Sequence, residues 1–289
     1  VADGEDGVDT LEVNTPDGGP DNGDAVTIND PASVVNLDGT DLHAIEVTNT
    51  DLGAQTAINY ANFNTLNVNT RDGDDSVATF VDSDAVAPAP PAFINLDAGD
   101  PTASDDVTLV GSISNDLLIG STNQIDDQAT IHSYANVENL TIDVGADLGN
   151  GAQAGGDDKI IINHSFTAAS TGVTVDGAGA TGTDELIVNS RPGEFDDLIL
   201  VDDDEVNFSD EVRIEHNDLD TLQVNAGSGD DSVTVDIDAT PSPDQVIIRG
   251  EQGDDLIDGS TTADFVDTYP DPDVTITPTT STSSITLFG

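Results

Sequence analysis

The chain has 289 residues, with 58 acidic side chains against five Lys and Arg and a formal charge of −53. That balance excludes nucleic acid as a partner, because phosphate binding needs Lys and Arg, and it sets the compact state against its own repulsion. The absence of Cys excludes disulfides, and the absence of any apolar run of about 18 residues excludes a membrane-spanning helix.

Of the acids, 48 are Asp and ten are Glu. Enrichment for solubility alone would accept Glu as readily. The short Asp side chain suits tight turns and oxygen-rich cation loops. The bias therefore points to bound calcium, with adaptation to high salt as the alternative. Val, Ile, Leu, Thr, Gly and Asn dominate the rest, a composition of strands and turns. The chain begins at Val1 with neither Met nor a signal peptide, which marks it as a processed or excerpted segment.

In chain order, the first element is the phrase Val8-Asp9-Thr10-Leu11-Glu12-Val13-Asn14, which returns at 63–69, 137–143 and 219–225. The pattern is apolar, polar, polar, Leu, polar, Val or Ile, then Asn or Asp. Its alternation predicts a strand with one buried face. The stretches ahead of the second and third copies also agree, Ile58-Asn59-Tyr60-Ala61-Asn62 against Ile131-His132-Ser133-Tyr134-Ala135-Asn136. Further strands are predicted at 76–80, 93–96, 107–110, 160–163, 173–175, 186–188, 198–201, 233–237 and 246–248. A Pro-dense stretch at 87–92 reads as a loop or short extended segment.

The second motif is Gly-Asp-Asp ahead of a strand, at Gly73-Asp74-Asp75, Gly156-Asp157-Asp158, Gly229-Asp230-Asp231 and Gly253-Asp254-Asp255. Looser relatives are Ser104-Asp105-Asp106, Ser114-Asn115-Asp116 and Phe195-Asp196-Asp197. Gly allows the sharp turn, and the Asp pair sets carboxylates beside turn carbonyls. The candidate metal ligands are thus Asp74, Asp75, Asp105, Asp106, Asp116, Asp157, Asp158, Asp230, Asp231, Asp254 and Asp255, with Ca2+ as the ion. A metal-free Asx-type turn is the competing reading of each copy. The clusters Asp202-Asp203-Asp204-Glu205 and 267–273 read as solvated acidic loops.

Gly250-Glu251-Gln252-Gly253-Asp254-Asp255-Leu256-Ile257-Asp258-Gly259 resembles a unit of the RTX nonapeptide, the Gly-rich calcium β-roll repeat. Ala226–Val233 fits nearly as well, and 111–120 more weakly. That resemblance implies metal-ligating roles for Asp231 and Asp255, with Gly229 and Gly253 at the turn. RTX units stand in tandem, whereas these are scattered singly. The alternation of strand phrase and acidic turn is also similar to secreted repeat proteins of planctomycete type.

The fold expected is an all-β right-handed parallel β-helix or β-solenoid, with tandem β-sandwich domains as the alternative. Residues 1–274 are expected to form four irregular repeats, about 8–62, 63–136, 137–218 and 219–274. The Thr/Ser-rich tail 275–289 is expected to be a linker or an edge strand. The function expected is an extracellular, calcium-stabilised structural or adhesive repeat protein, secreted or at the cell surface. It is expected to form a homo-oligomer or polymer through strand edges or solenoid ends, as a surface-layer, matrix or filament subunit. A β-helix polysaccharide lyase or glycoside hydrolase is the alternative. No motif favours catalysis: His43, His132, His164 and His216 lack zinc spacing, and no nucleophile elbow appears.

Overall fold

The computed structural model describes residues 2–3, 9–15, 24–28, 35–37, 40–49, 54–61, 63–71, 73–81, 91–99, 104–112, 114–145, 156–167, 169, 172–177, 182–193, 195–208, 213–236, 243, 245–259, 265–267, 275–276 and 285–287. Residues 87–90 of the Pro-dense stretch and most of 267–273 lie outside these residues. Among the described residues there are strands and turns and no helix.

The strands build two large mixed sheets and no closed barrel. In chain order they are β1 (Ala2–Asp3), β2 (Thr10–Asn14), β3 (Asp24–Ile28), β4 (Val35–Leu37), β5 (Thr40–Asn49), β6 (Ala54–Ala61), β7 (Thr65–Asn69), β8 (Ser76–Phe80), β9 (Phe93–Asp97) and β10 (Asp106–Val110). There follow β11 (Leu117–Ser121), β12 (Gln124–Asp126), β13 (Ile131–Ala135), β14 (Asn139–Asp143), β15 (Lys159–Asn163), β16 (Gly172–Asp176), β17 (Glu185–Asn189), β18 (Leu198–Asp202), β19 (Glu205–Phe208) and β20 (Ile214–Asn217). The last are β21 (Thr221–Asn225), β22 (Ser232–Asp236), β23 (Gln245–Arg249), β24 (Leu256–Gly259), β25 (Phe265–Asp267), β26 (Thr275–Ile276) and β27 (Ile285–Leu287).

Sheet A runs β1-β6-β5-β3-β8-β10-β14-β16-β20-β19-β18-β22-β24-β26, with β4 on β5; sheet B runs β2-β7-β9-β13-β12-β11-β15-β17-β21-β23-β25-β27. Single strands alternate between the sheets and pair in parallel with strands of neighbouring coils, as β7 does with β2 and β9. In the tail, β27 pairs in parallel with β25 of the same chain.

Three antiparallel excursions interrupt this alternation: β3–β5–β6, β11–β12–β13 and β18–β19–β20. In each, the first strand skips ahead, where it pairs with β8, β15 or β22. The third returns to pair with β1, β9 or β16. Each return strand leads into a copy of the repeated phrase, β7, β14 or β21. The corner before β14 and β21 uses a left-handed residue, Asn136 at φ 56° and Asp218 at φ 49°, a conformation that Asn and Asp tolerate. Four single strands separate successive excursions, an even number, so excursions fall in sheet A, then B, then A. This explains the uneven phrase spacing. The acidic run 202–205 spans the β18–β19 hairpin, in which Asp202 ends β18, Asp203 and Asp204 form the two-residue turn and Glu205 opens β19, next to the pairing Val201↔Val206.

Inward residues stack in register, as in the rows Leu11↔Leu66↔Ile94 and Leu186↔Leu222↔Val246. They join one apolar core cluster that runs from Val13 to Ile257. Each fully buried Val, Leu or Ile in it contributes about 1.5–3 kcal/mol. His132 and His216 lie buried on return strands β13 and β20, two residues apart in alignment, since His216 corresponds to Tyr134.

Candidate functional site

The turns between the sheets stack along the two edges, and their acids line up in columns. In the first inner column the Asp24 N–H donates to Asp75 Oδ1 at 2.7 Å, the Asp75 N–H to Asp105 Oδ1 at 2.8 Å, and the Asp105 N–H to Glu138 Oε2 at 3.2 Å. On the opposite edge the Asp116 N–H donates to Asp158 Oδ1 at 2.7 Å, the Asp158 N–H to Asp184 Oδ1 at 3.2 Å, and the Asp184 N–H to Asp220 Oδ2 at 2.8 Å. A third column joins the Asp197 N–H to Asp231 Oδ1 at 2.8 Å and the Asp231 N–H to Asp255 Oδ1 at 2.9 Å. In each case the earlier coil supplies the amide and the later coil the carboxylate. These bonds satisfy turn amides that would otherwise be buried without a partner.

Exposed outer columns stand beside them with the opposite sense. The Ser104 N–H donates to Asp74 Oδ1, the Thr183 N–H to Asp157 Oδ1, the Asp230 N–H to Asp196 Oδ1, and the Asp254 N–H to Asp230 Oδ1, at 2.9 to 3.2 Å. Where both columns are present, as between 74–75 and 104–105, 157–158 and 183–184, 196–197 and 230–231, and 230–231 and 254–255, adjacent turns are joined by reciprocal side-chain bonds.

The close stacking explains the glycines. At Gly229, with φ +148°, a Cβ would lie 2.0 Å from the Phe195 carbonyl oxygen. At Gly253, with φ +142°, it would lie 1.5 Å from the Gly229 carbonyl oxygen. The two RTX-like turns, apart in sequence, are therefore adjacent in space, with a parallel bridge between Ser228 and Gln252.

Of the sequence-predicted ligands, Asp75, Asp105, Asp116, Asp158, Asp231 and Asp255 stand in inner columns and Asp74, Asp157, Asp230 and Asp254 in outer ones. Asp106 belongs to neither: it opens β10 on the sheet face and accepts the Asn139 amide at 2.8 Å. The Asp105-Asp106 pair is shifted by one residue, with Ser104 in the outer place. Sequence reasoning left out Asp184, Asp197, Asp220 and Glu138 as column members. Their shared signal is an acid two residues ahead of the first inward apolar residue, as in Asp184-Glu185-Leu186 and Glu138-Asn139-Leu140. The second position of the strand phrase and the second Asp of Gly-Asp-Asp are one structural position.

Asp105, Asp158 and Asp231 each spend one oxygen on an amide, and Asp197 turns one toward Arg191 at 3.8 Å. The second oxygen, Oδ2, of Asp105, Asp158, Asp197 and Asp231 is buried without a hydrogen-bond partner. A buried carboxylate in that state is costly unless it binds a proton or a cation. Burial pushes Asp105 and Asp158 up to about 7 and Asp231 to about 6, and neighbouring column acids add to the shift. Burial also raises Asp75 and Asp184. Among the described residues no three His, Cys, Asp or Glu side chains converge as a ready cage for a metal.

These shifts fix a pH dependence. A carboxyl whose folded pKa lies above its unfolded value stabilises the fold below the unfolded value, and that contribution is lost as pH rises through the folded one. Divalent-free protein at fixed ionic strength is therefore expected to lose melting temperature steadily from pH about 4 to about 7. A melting temperature that climbs over that range would show that the columns take up no protons.

The cations are dispersed. Lys159 pairs with Glu185 at 2.6 Å, Arg213 lies between Glu205 and Glu215, and Arg191 lies 3.8 Å from Asp197 and 4.8 Å over the Phe195 ring. His216 is held neutral by burial, which lowers it to about 4. No family model, curated protein or solved structure matches the chain.

Proposed function

We propose that the chain is a two-sheet β-solenoid module, right-handed as parallel crossovers prefer, from a secreted or surface protein with a structural or adhesive task and no catalytic one. Calcium is its stabilising cofactor. The observation that carries this reading is the set of stacked acidic columns whose inner carboxylates keep one buried oxygen unpartnered at Asp105, Asp158, Asp197 and Asp231. Such oxygens fit a hard cation, which prefers carboxylate, carbonyl and water oxygens. The residues that would hold it are the paired acids of adjacent coils: Asp230, Asp231, Asp254 and Asp255 at one site, Asp157 and Asp158 with Asp184 at another, and Asp74 and Asp75 with Asp105 at a third. Bound there, calcium offsets repulsion between coils in a chain of charge −53. The RTX resemblance of residues 250–259 supports the same ion.

The test is a calcium titration followed by circular dichroism and thermal melting, against NaCl and MgCl2 at matched ionic strength. Each site saturated at a hundredfold excess adds about 2.7 kcal/mol. Several sites together should raise the melting temperature by roughly 10 °C or more. Equal stabilisation by NaCl alone would replace calcium with simple salt adaptation.

A further inference from the structure

The outer faces of the two sheets differ. On sheet B the pairings align Phe93, Ile131, Asp126, Ile119, Ile161, Ile187, Gln223 and Ile247 in one continuous row across eight strands. The antiparallel register of β12 keeps this row in line through the excursion. Phe93 is 45% exposed, and Ile119, Ile131, Ile161 and Ile247 are partly exposed, whereas Ile187 and Gln223 in the middle of the row are buried at 9% and 5%. The row beside it is closed by side-chain bonds: Asn95 to Asn67 at 2.8 Å, Gln124 to Ser133 at 3.0 Å, Asn189 to Asn163 at 2.9 Å and Asn225 to Asn189 at 2.6 Å. These polar groups bond one another along the sheet.

Charge is also scarce here. Across β12, β11, β15, β17, β21 and β23 the outward positions hold Lys159 and Arg249 against Asp126 and Glu185, and Asp97 lies beyond them on β9. Two of the five cations of the chain stand on this face. The outer face of sheet A instead aligns acid with acid, Glu205 with Glu215 and Asp202 with Asp236. A strongly acidic chain can approach its own copy only where its charge is balanced.

We propose that the outer face of sheet B is a self-association surface that packs against the same face of a second copy. A twofold axis lying between the two sheets, parallel to the strands and between β15 and β17, sets Ile161 over the partner subunit's Ile187. The same axis sets Lys159 over the partner subunit's Glu185. The contact is isologous, so it closes at two copies. Under this axis six strands of the row, β12, β11, β15, β17, β21 and β23, face one another, and six strands by five residues give about 24 Å by about 17 Å, or roughly 400 Å² a copy. That is below the ~800 Å² a partner of a standard interface, so the dimer is weak, in the micromolar range or above.

Sedimentation equilibrium of the calcium-saturated chain tests this, with circular dichroism as the check on folding. The wild type is expected to dimerise, and Ile161→Asp to weaken dimerisation at least tenfold. Thr141→Asp, on the outer face of sheet A, is expected to associate as the wild type does. Ile161→Thr keeps the β-branched shape; it is expected to leave the melt unchanged and weaken association several-fold. This second variant decides the matter if Ile161→Asp does not fold. A wild type monomeric at every concentration, or equal effects of the Ile161 and Thr141 variants, would overturn the proposal. Since the readout is association of folded protein, failure of the calcium reading would leave this result intact.

Discussion

Gly229→Ala is expected to cost about 2–6 kcal/mol, the sum of about 1–3 for backbone strain and about 1–3 for overpacking. The new Cβ would fall 2.0 Å from the Phe195 carbonyl oxygen, at a φ of +148° that side-chain-bearing residues rarely adopt. The atom it meets is backbone, so the neighbouring coil has to move. That neighbouring segment carries Asp197, so the bond from the Asp197 N–H to Asp231 lengthens with it. Calorimetry should record a fall in melting temperature of roughly 10 °C. Gly120→Ala is the control. Its Cβ meets Ile162 Cδ1 at 2.9 Å, the end of a flexible side chain, and the Phe166 ring. The loss there should be nearer 1 kcal/mol. Equal losses at the two positions would mean that coil spacing is not the constraint.

Asp158 separates the two roles of an inner carboxylate, and its variants should move in opposite directions. Asp158→Ala removes the acceptor of the Asp116 N–H, a buried bond of 2.7 Å, and is expected to cost about 1–3 kcal/mol at every pH. Asp158→Asn keeps an acceptor oxygen and deletes the charge. In chelator at pH 8, above the value of about 7 to which burial raises this carboxyl, it should melt higher than the wild type. In saturating calcium the order should reverse, because the amide is a poorer ligand for the ion than a carboxylate. Melts of the three proteins in chelator and in calcium give the answer. An Asn variant that melts below the wild type in both buffers would remove the argument that the column stores unfavourable charge.

Much of this was legible in the sequence because strand alternation is local. All nine further strands expected between and after the phrase copies are present, from β8 (Ser76–Phe80) to β23 (Gln245–Arg249), within a residue or two at each end. The Gly-Asp-Asp turns were equally clear, since a tight turn imposes Gly at one place. The excursions were hidden. Nothing in Gln124-Ile125-Asp126 says that it runs antiparallel, because direction is set by partners distant in the chain. The agreement of 58–62 with 131–136 was visible as similarity, but its cause, a return strand and its corner, needed the pairings. The columns were half-seen for the same reason. Asp184 follows no Gly-Asp, so its kinship with Asp158 and Asp231 shows only when the coils are stacked. The outward isoleucines were unreadable as a surface, since Ile161 and Ile187 come into register through the sheet.

An excursion enters and leaves through the same sheet, and this has a genetic corollary. Duplicating or losing one hairpin changes the number of stacked layers by two while every downstream strand keeps its side and its facing. Recombination can therefore graft or trim such units without scrambling the inheritance of buried positions. A lineage of these chains should vary in length mainly at the three excursions, and the paired acids of the corners between them should be the last features to drift.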